Sequence, residues 1–460
     1  MELRNLSFAG ESQFRSLPSI LVKAAILVQG MPRACGFVPA GIQRTSYPTR
    51  QEPRPPIPPS VGPAPAQNVA ICHFFFLLTY WFDILRFRPK STAYRPRRGA
   101  NVAKIVYGVS GEGSGHSSRS REMATHLQRQ GHDLWMVSYD RGYRNLKDDF
   151  RVFETEGLTI ASEDNQVSIV RTFTENLMRL PEGHRKLQQL KNELFKGFQP
   201  DVVITDFEPM TAYLAKHYDI PLISIDNQHR MRYMDFDCPP GSEADRHVTK
   251  TIIRAMVPRP DVSLVITFVQ GPTTNDRTFL FPPILRRAVL DKTPTRGDHI
   301  LVYVTSGYES LLEQLQEFDR EKFLVYGYDR SDSEGPCQFR PFSRDGFLSD
   351  LAGAKAVIAT AGFTLISEAL YLRKPYCALP MEGQFEQELN SYMLGGLGYG
   401  KDAAELGDES LGDFLYHIPD YEQKLAEYPA EDNSAIQRKL DELLADDCAL
   451  AREFHRRRTS

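Results

Sequence analysis

The stretch AKIVYGVSGEGSGHSSRSREMATHLQRQG, residues 103–131, decides the fold. Residues 103–109 are a short apolar, β-branched run ending among glycines. Residues 117–130 have helical spacing, with Met123, Ala124 and Leu127 on one face. Gly131 ends that helix where a left-handed cap is expected. A buried strand, a glycine loop and an amphipathic helix make one βα unit.

The rhythm recurs. Strands are expected at 133–139, 201–205, 221–225 and 263–267, with helical stretches between them. The polar segment RRAVLDKTPTRGD, 286–298, breaks the pattern and reads as a linker. Strands resume at 299–304, 323–327, 355–360 and 375–380, the first followed by a turn at 305–307. Such alternation predicts an α/β fold with parallel sheets covered on both faces. Two Rossmann-like units in tandem would face each other across a cleft, because ligands gather at the carboxyl ends of parallel strands. The expected division is a leader at 1–100, units at 101–290 and 296–405, and a helical extension at 406–460.

The bulk properties narrow the function. A length of 460 residues accommodates two or three domains. The net charge of −4 gives no electrostatic case for nucleic acid. The six cysteines are scattered without a C-x-x-C pair, so neither zinc nor a disulfide framework is expected, and a reducing cytoplasm fits. The leader is proline-dense at 48–65, apolar and aromatic at 69–87, and basic at 86–98. His73 and Asp83 bound a clean apolar run of nine residues, against the ~20 needed to span a bilayer. Three readings of it compete: a membrane anchor, an aromatic helix on the cytoplasmic membrane face, and a leader without a fold of its own.

The glycine loop is not a nucleotide fingerprint. Gly111, Gly113 and Gly115 give G-x-G-x-G, and His116 stands where the third glycine of a dinucleotide motif belongs. No Gly-Lys-Ser/Thr follows, which excludes a P-loop. A histidine at a strand-to-helix turn suits proton transfer, since an imidazole titrates at about 6.5. Gly113 and Gly115 would leave room for an acceptor hydroxyl. Asp206, after the strand at 201–205, is the expected partner that orients His116, with Glu208 as fallback. A local role, with His116 filling the turn or Asp206 capping a helix, is the plainer alternative. His229 follows the next strand and reads as a rival base or as part of the acceptor pocket.

In the second unit, AGFTLISEAL at 361–370 opens a helix with a glycine turn. The backbone N–H groups of Gly362, Phe363 and Thr364 would favour a diphosphate. Glu368 could pair with a ribose diol. Glu386, Gln387 and Asn390 lie at the next strand-to-helix junction and suit sugar hydroxyls; a plain surface helix is the alternative. The DFD at 235–237 reads as a solvated loop, so no metal site is expected.

Together these segments resemble the GT-B glycosyltransferases. The nearest patterns are family 28, which includes the N-acetylglucosaminyltransferase that makes lipid II, and the UDP-glycosyltransferases. GHSSRSREMATHLQRQGHDL resembles the N-terminal motif with His116 at the histidine position, and PDVVITDFEP the segment carrying its aspartate. TAGFTLISEALYLRKPYCALPMEGQFEQELN resembles the donor signature, with Gly362, Glu368, Gln387 and Asn390 in register. Residues 102–400 are similar to a poorly characterised group of bacterial and archaeal glycosyltransferases, some described as teichoic-acid-biosynthesis-like. This sequence departs from the pattern in three places: Ser117 to Ser120 replace a frequent proline, Thr360 replaces a frequent histidine or arginine, and Glu386 replaces an aspartate.

The resemblance implies an inverting, metal-independent hexosyltransferase of cell-envelope polysaccharide synthesis, without a cofactor. It takes a nucleotide sugar, most simply a UDP-sugar, in the second unit, with the base near Phe342. It takes a hydroxyl acceptor, lipid-linked or glycan, in the first. His116 would be the general base. A sugar-nucleotide epimerase on the same scaffold and a non-catalytic nucleotide-sugar binding protein are the rival readings.

Overall fold

The computed structural model describes residues 102–157, 162–163, 166–167, 180–304, 308–403 and 408–459. The leader at 1–100 and the turn at 305–307 lie outside the described residues.

The first sheet is built from β1 Lys104–Val109, β2 Asp133–Ser138, β3 Val152–Glu154, β6 Val202–Asp206, β7 Leu222–Asp226, β8 Val262–Ile266 and β9 Thr278–Phe281. A two-residue hairpin, β4 Ser162–Glu163 with β5 Gln166–Val167, stands apart from it. The strand order is β3-β2-β1-β6-β7-β8-β9, parallel throughout. Every position of β6, β7 and β8 is buried, as a strand with helices on both faces requires.

The second sheet contains β10 His299–Tyr303, β11 Lys322–Tyr326, β12 Ser333–Glu334, β13 Cys337–Phe339, β14 Ala356–Thr360, β15 Tyr376–Leu379 and β16 Gly400–Asp402. Its order is β12-β13-β11-β10-β14-β15-β16, and only the short edge strand β12 runs antiparallel. Both sheets reverse their winding beside their first strand, between β1 and β6 and between β10 and β14. A doubly wound sheet opens a crevice at such a switch point. The strands expected from sequence are present within a residue or two. The unexpected ones, among them β9, β13 and β16, have four residues or fewer.

The extension consists of helices Asp408–Tyr416, Ile418–Leu425 and Ser434–Thr459. The last is interrupted at 445–448, where Asp446, Asp447 and Cys448 take left-handed φ of 49°, 63° and 59°. Beyond that break it packs on the first sheet. Phe454 meets Phe279 edge-on, Arg452 lies 3.6 Å from Asp201, and His455 sits between Asp261 at 2.9 Å and Asp219 at 3.0 Å. Those three aspartates precede β6, β8 and β7, so this helix lies at the amino ends of the strands. No helix among the described residues is long and apolar enough to cross a membrane.

Candidate active site

The β1/β6 switch point brings His116 and Asp206 together. Helix Gly115–Arg129 starts after the glycine loop and carries His116 at its second position. Asp206 is the last residue of β6 and is fully buried. His116 Nδ1 lies 2.7 Å from Asp206 Oδ1, and the imidazole keeps a sliver of exposure, 11% of its side chain. Phe207 follows in a left-handed conformation, φ 56°, and its ring stacks on the imidazole at 6.5 Å. A left-handed non-glycine residue costs about 1–3 kcal/mol and is sustained where surrounding structure demands it. Glu208, the fallback partner, instead caps helix Pro209–His217 by accepting from the N–H groups of Met210 and Thr211.

The sequence leaves open whether Arg119 and Arg121 touch acceptor or donor phosphates, and does not place Arg119 on Asp206. One helical turn past His116, Arg119 grips Asp206 with both arms, Nε to Oδ2 at 2.7 Å and Nη2 to Oδ1 at 2.6 Å. Ser120 donates to Oδ2 at 3.0 Å. Burial pushes the Asp206 carboxyl up, but the Arg119 and His116 charges and hydrogen bonds outweigh it, and the net direction is below the usual 3.8. An ionised Asp206 accepts the Nδ1 proton, which leaves Nε2 as the free lone pair. Arg119 Nη2 is also 2.7 Å from Nδ1, so its hydrogens go to Asp206 and toward Gln228 Oε1 at 3.5 Å. Arg121 turns away to Asp149 and the Asn145 carbonyl.

The glycines serve several neighbours. A side chain at Gly108 would strike Thr211 and Glu208, and one at Gly111 would strike Tyr139, so those two admit protein rather than ligand. Gly113 has φ +68° and open space around it. Gly115 faces the other unit: a β-carbon there would come 2.6 Å from Thr364 Oγ1.

In the second unit, Gly362 is the N-cap of helix Phe363–Tyr371, beside the β10/β14 switch point. Its own N–H is spent on the Thr360 carbonyl at 2.8 Å, which corrects the expectation that it faces a phosphate. The N–H groups of Phe363 and Thr364 open the helix, where no intrahelical acceptor exists. Phe342 is 60% exposed, as an aromatic platform would be.

Other expected contacts are already engaged. Glu368 is buried, and Arg286 holds both its oxygens, at 2.6 and 2.5 Å. A ribose would have to compete with that guanidinium. Burial raises the Glu368 carboxyl above its usual 4.5, and Arg286 offsets only part of the rise. Gln387 bonds the Gln384 side chain and the Met381 N–H, within its own turn. Asn390 is fully buried, donates to the Ala361 carbonyl at 2.8 Å and accepts from Arg230. His229 does not line an open pocket: it is fully buried and tied to Asp226 at 2.7 Å, stacked on Tyr233. Glu386 is met from the first unit, by Asn227 at 2.6 Å and Gln228 at 3.1 Å. The two switch points therefore approach each other along two seams, Gly115 against Thr364 and Asn227–Gln228 against Glu386. Among the described residues, no three His, Cys, Asp or Glu side chains gather as a metal site would.

The sequence profile described as Glycosyl transferase family 1 matches residues 103–419. A glycosyltransferase of uncharacterised activity from Methanosarcina mazei is 26% identical over 335 residues, 65% of this chain and 85% of its own. Another from Methanosarcina acetivorans is 24% identical over 328 residues, with the same coverage of 65% and 85%. The solved glycotransferase of kitacinnamycin is similar at a TM-score of 0.51 and 16% identity, covering 78% of this chain and 99% of that one. The calicheamicin glycosyltransferase CalG4 is similar at 0.52 and 15%, covering 74% and 98%. Their likeness identifies the architecture as GT-B.

Proposed function

The chain belongs to glycosyl transferase family 1 and is a glycosyltransferase, and we propose that it transfers a sugar, with inversion, from a nucleotide-sugar donor to a hydroxyl acceptor with His116 as general base. The observation that carries this reading is the His116–Asp206 pair at the β1/β6 switch point, one residue from Gly115, which meets Thr364 at the start of the glycine-capped helix.

The acceptor occupies the unit at 101–290, beside Gly113 and Gly115. His116 Nε2 removes its hydroxyl proton while Asp206 steadies Nδ1–H. The acceptor oxygen attacks the anomeric carbon and the nucleoside diphosphate leaves. The donor occupies the unit at 296–405, its diphosphate over the N–H groups of Phe363 and Thr364. There the helix dipole offsets the charge that develops as the bond breaks. Phe342 stacks on the base and Glu386 faces the sugar, with Gln387 and Asn390 shaping the turn behind it. The ribose reaches Glu368 only if Arg286 gives way. No step is routed through a metal or cofactor.

UDP-sugars are the first donor class to test, from the likeness to UDP-glycosyltransferases. Attachment to a lipid-linked or glycan acceptor at the cytoplasmic membrane face, in envelope polysaccharide synthesis, is part of the same proposal. A screen of nucleotide sugars read by thermal stabilisation and by nucleoside diphosphate release tests it, because a ligand that binds only the folded state raises apparent stability. A donor that does both supports the reading. If every nucleotide sugar leaves stability unchanged and none is turned over, the donor reading is wrong.

A further inference from the structure

Arg230 is a buried cation with no ion-pair partner among the described residues. It opens the short helix Arg230–Tyr233, after β7, and is fully buried. Among the described residues no carboxylate forms an ion pair with it. Its Nη2 donates to Asn390, its Nη1 lies 3.8 Å from Met393 Sδ, and its Nε has no hydrogen-bond partner among the described residues. Its guanidinium lies 5.8 Å from the Phe268 ring centroid and 5.5 Å from that of Phe363. Ring faces and an amide soften a buried positive charge but do not neutralise it. Burial pulls the guanidinium down to about 10, with Glu386 acting against the shift, so it remains charged at neutral pH.

Its location gives that charge a purpose. Phe363 is the first residue of helix Phe363–Tyr371, and Asn390, which Arg230 holds, also bonds the Ala361 carbonyl just before the cap. A cation without an ion-pair partner among the described residues is therefore packed against the first residue of a helix, whose opening N–H groups have no intrahelical acceptor. Thr360, on the strand leading to that turn, offers no charge of its own.

We propose that Arg230, reaching across from the first unit, is the positive charge that holds and stabilises the leaving diphosphate of the donor at the Phe363 helix start. This rests on the donor reading above and deepens it. Electrostatic help in group departure would then come from the acceptor-side half, so the diphosphate would be fully held only when the two halves are together.

The test measures dissociation constants for UDP, dTDP, GDP and ADP, each beside its own nucleoside, on the full chain. In wild type at least one diphosphate binds tighter than its nucleoside. In Arg230→Met that advantage falls about tenfold or more, ~1.4 kcal/mol, while the nucleoside's own affinity moves less than about threefold. Met393→Glu gives Arg230 an internal carboxylate and reduces the same advantage, whereas Met393→Gln keeps it. An undiminished advantage in folded Arg230→Met overturns the assignment; if that variant does not fold, an undiminished advantage in Met393→Glu does so. If no diphosphate outbinds its nucleoside in wild type, the donor reading itself fails and this proposal with it.

Discussion

Arg119 grips both oxygens of Asp206, at 2.6 and 2.7 Å, from the same helix that presents His116 to that carboxylate. The pair makes Asp206 a fixed, ionised acceptor that is itself fully buried. Replacing Arg119 by Met leaves a buried carboxylate without its main counter-charge. Breaking a buried pair this way costs about 3–5 kcal/mol. Chemical denaturation should show that loss in Arg119→Met and a smaller one in Arg119→Lys, which keeps the charge but not the fork. Equal stability of Arg119→Met and wild type would contradict the role given to this pair.

The seam between Gly115 and Thr364 predicts a coupled pair. A methyl at position 115 comes 2.6 Å from Thr364 Oγ1, so Gly115→Ala forces the two halves apart or turns the threonine. Turnover should fall in Gly115→Ala, and Thr364→Ala should recover part of it. Residues in contact give non-additive effects of about 0.5–3 kcal/mol in a double-mutant cycle. Strict additivity of the two changes in kcat/KM would show that they do not meet.

The last helix predicts a pH dependence of stability. Burial lowers the His455 imidazole, but hydrogen bonds and charges from Asp261 and Asp219 outweigh that and raise it above 6.5. Asp261 is pushed up by burial and pulled further down by His455 and Arg458, to below 3.8. The His455 contribution is therefore complete below pH 6.5 and fades as pH rises through its elevated value. The Asp261 contribution is complete above pH 3.8 and fades as pH falls through its depressed value. Thermal melts of wild type and His455→Ala should differ most near pH 5 to 6.5 and converge toward pH 9. A gap that widens with rising pH would reverse the sign.

Much of this was legible in the chain because parallel strands announce themselves. Val202 to Ile204, and Leu222, Ile223 and Ile225, are short β-branched or apolar runs, and β6 and β7 are buried at every position. His116 and Asp206 could be paired from sequence because each follows a strand on the same edge of one sheet. Arg119 was not legible: its value comes from a carboxylate 87 residues away, and an arginine one turn along a helix normally reads as a solvated face. Glu368 looked free for a ribose because its partner Arg286, 82 residues upstream, sits in a segment that reads as a linker. Asn390 looked like a sugar ligand, but it is spent on Ala361 and on Arg230, 160 residues back. His229 follows β7 on the same edge of the sheet, yet burial and Asp226, which ends that strand, enclose it. Tertiary contacts, several of them across the two halves, decide which polar residues stay available, and no local pattern encodes them.

The measurement that bears most directly on the central claim separates turnover from donor binding in His116→Ala, once the nucleotide sugar is known. A general base contributes about 10²- to 10⁴-fold to rate. The account predicts that kcat falls in that range while the donor dissociation constant stays within about threefold of wild type, with Asp206→Asn falling in the same direction. Turnover in His116→Ala close to that of wild type would contradict it.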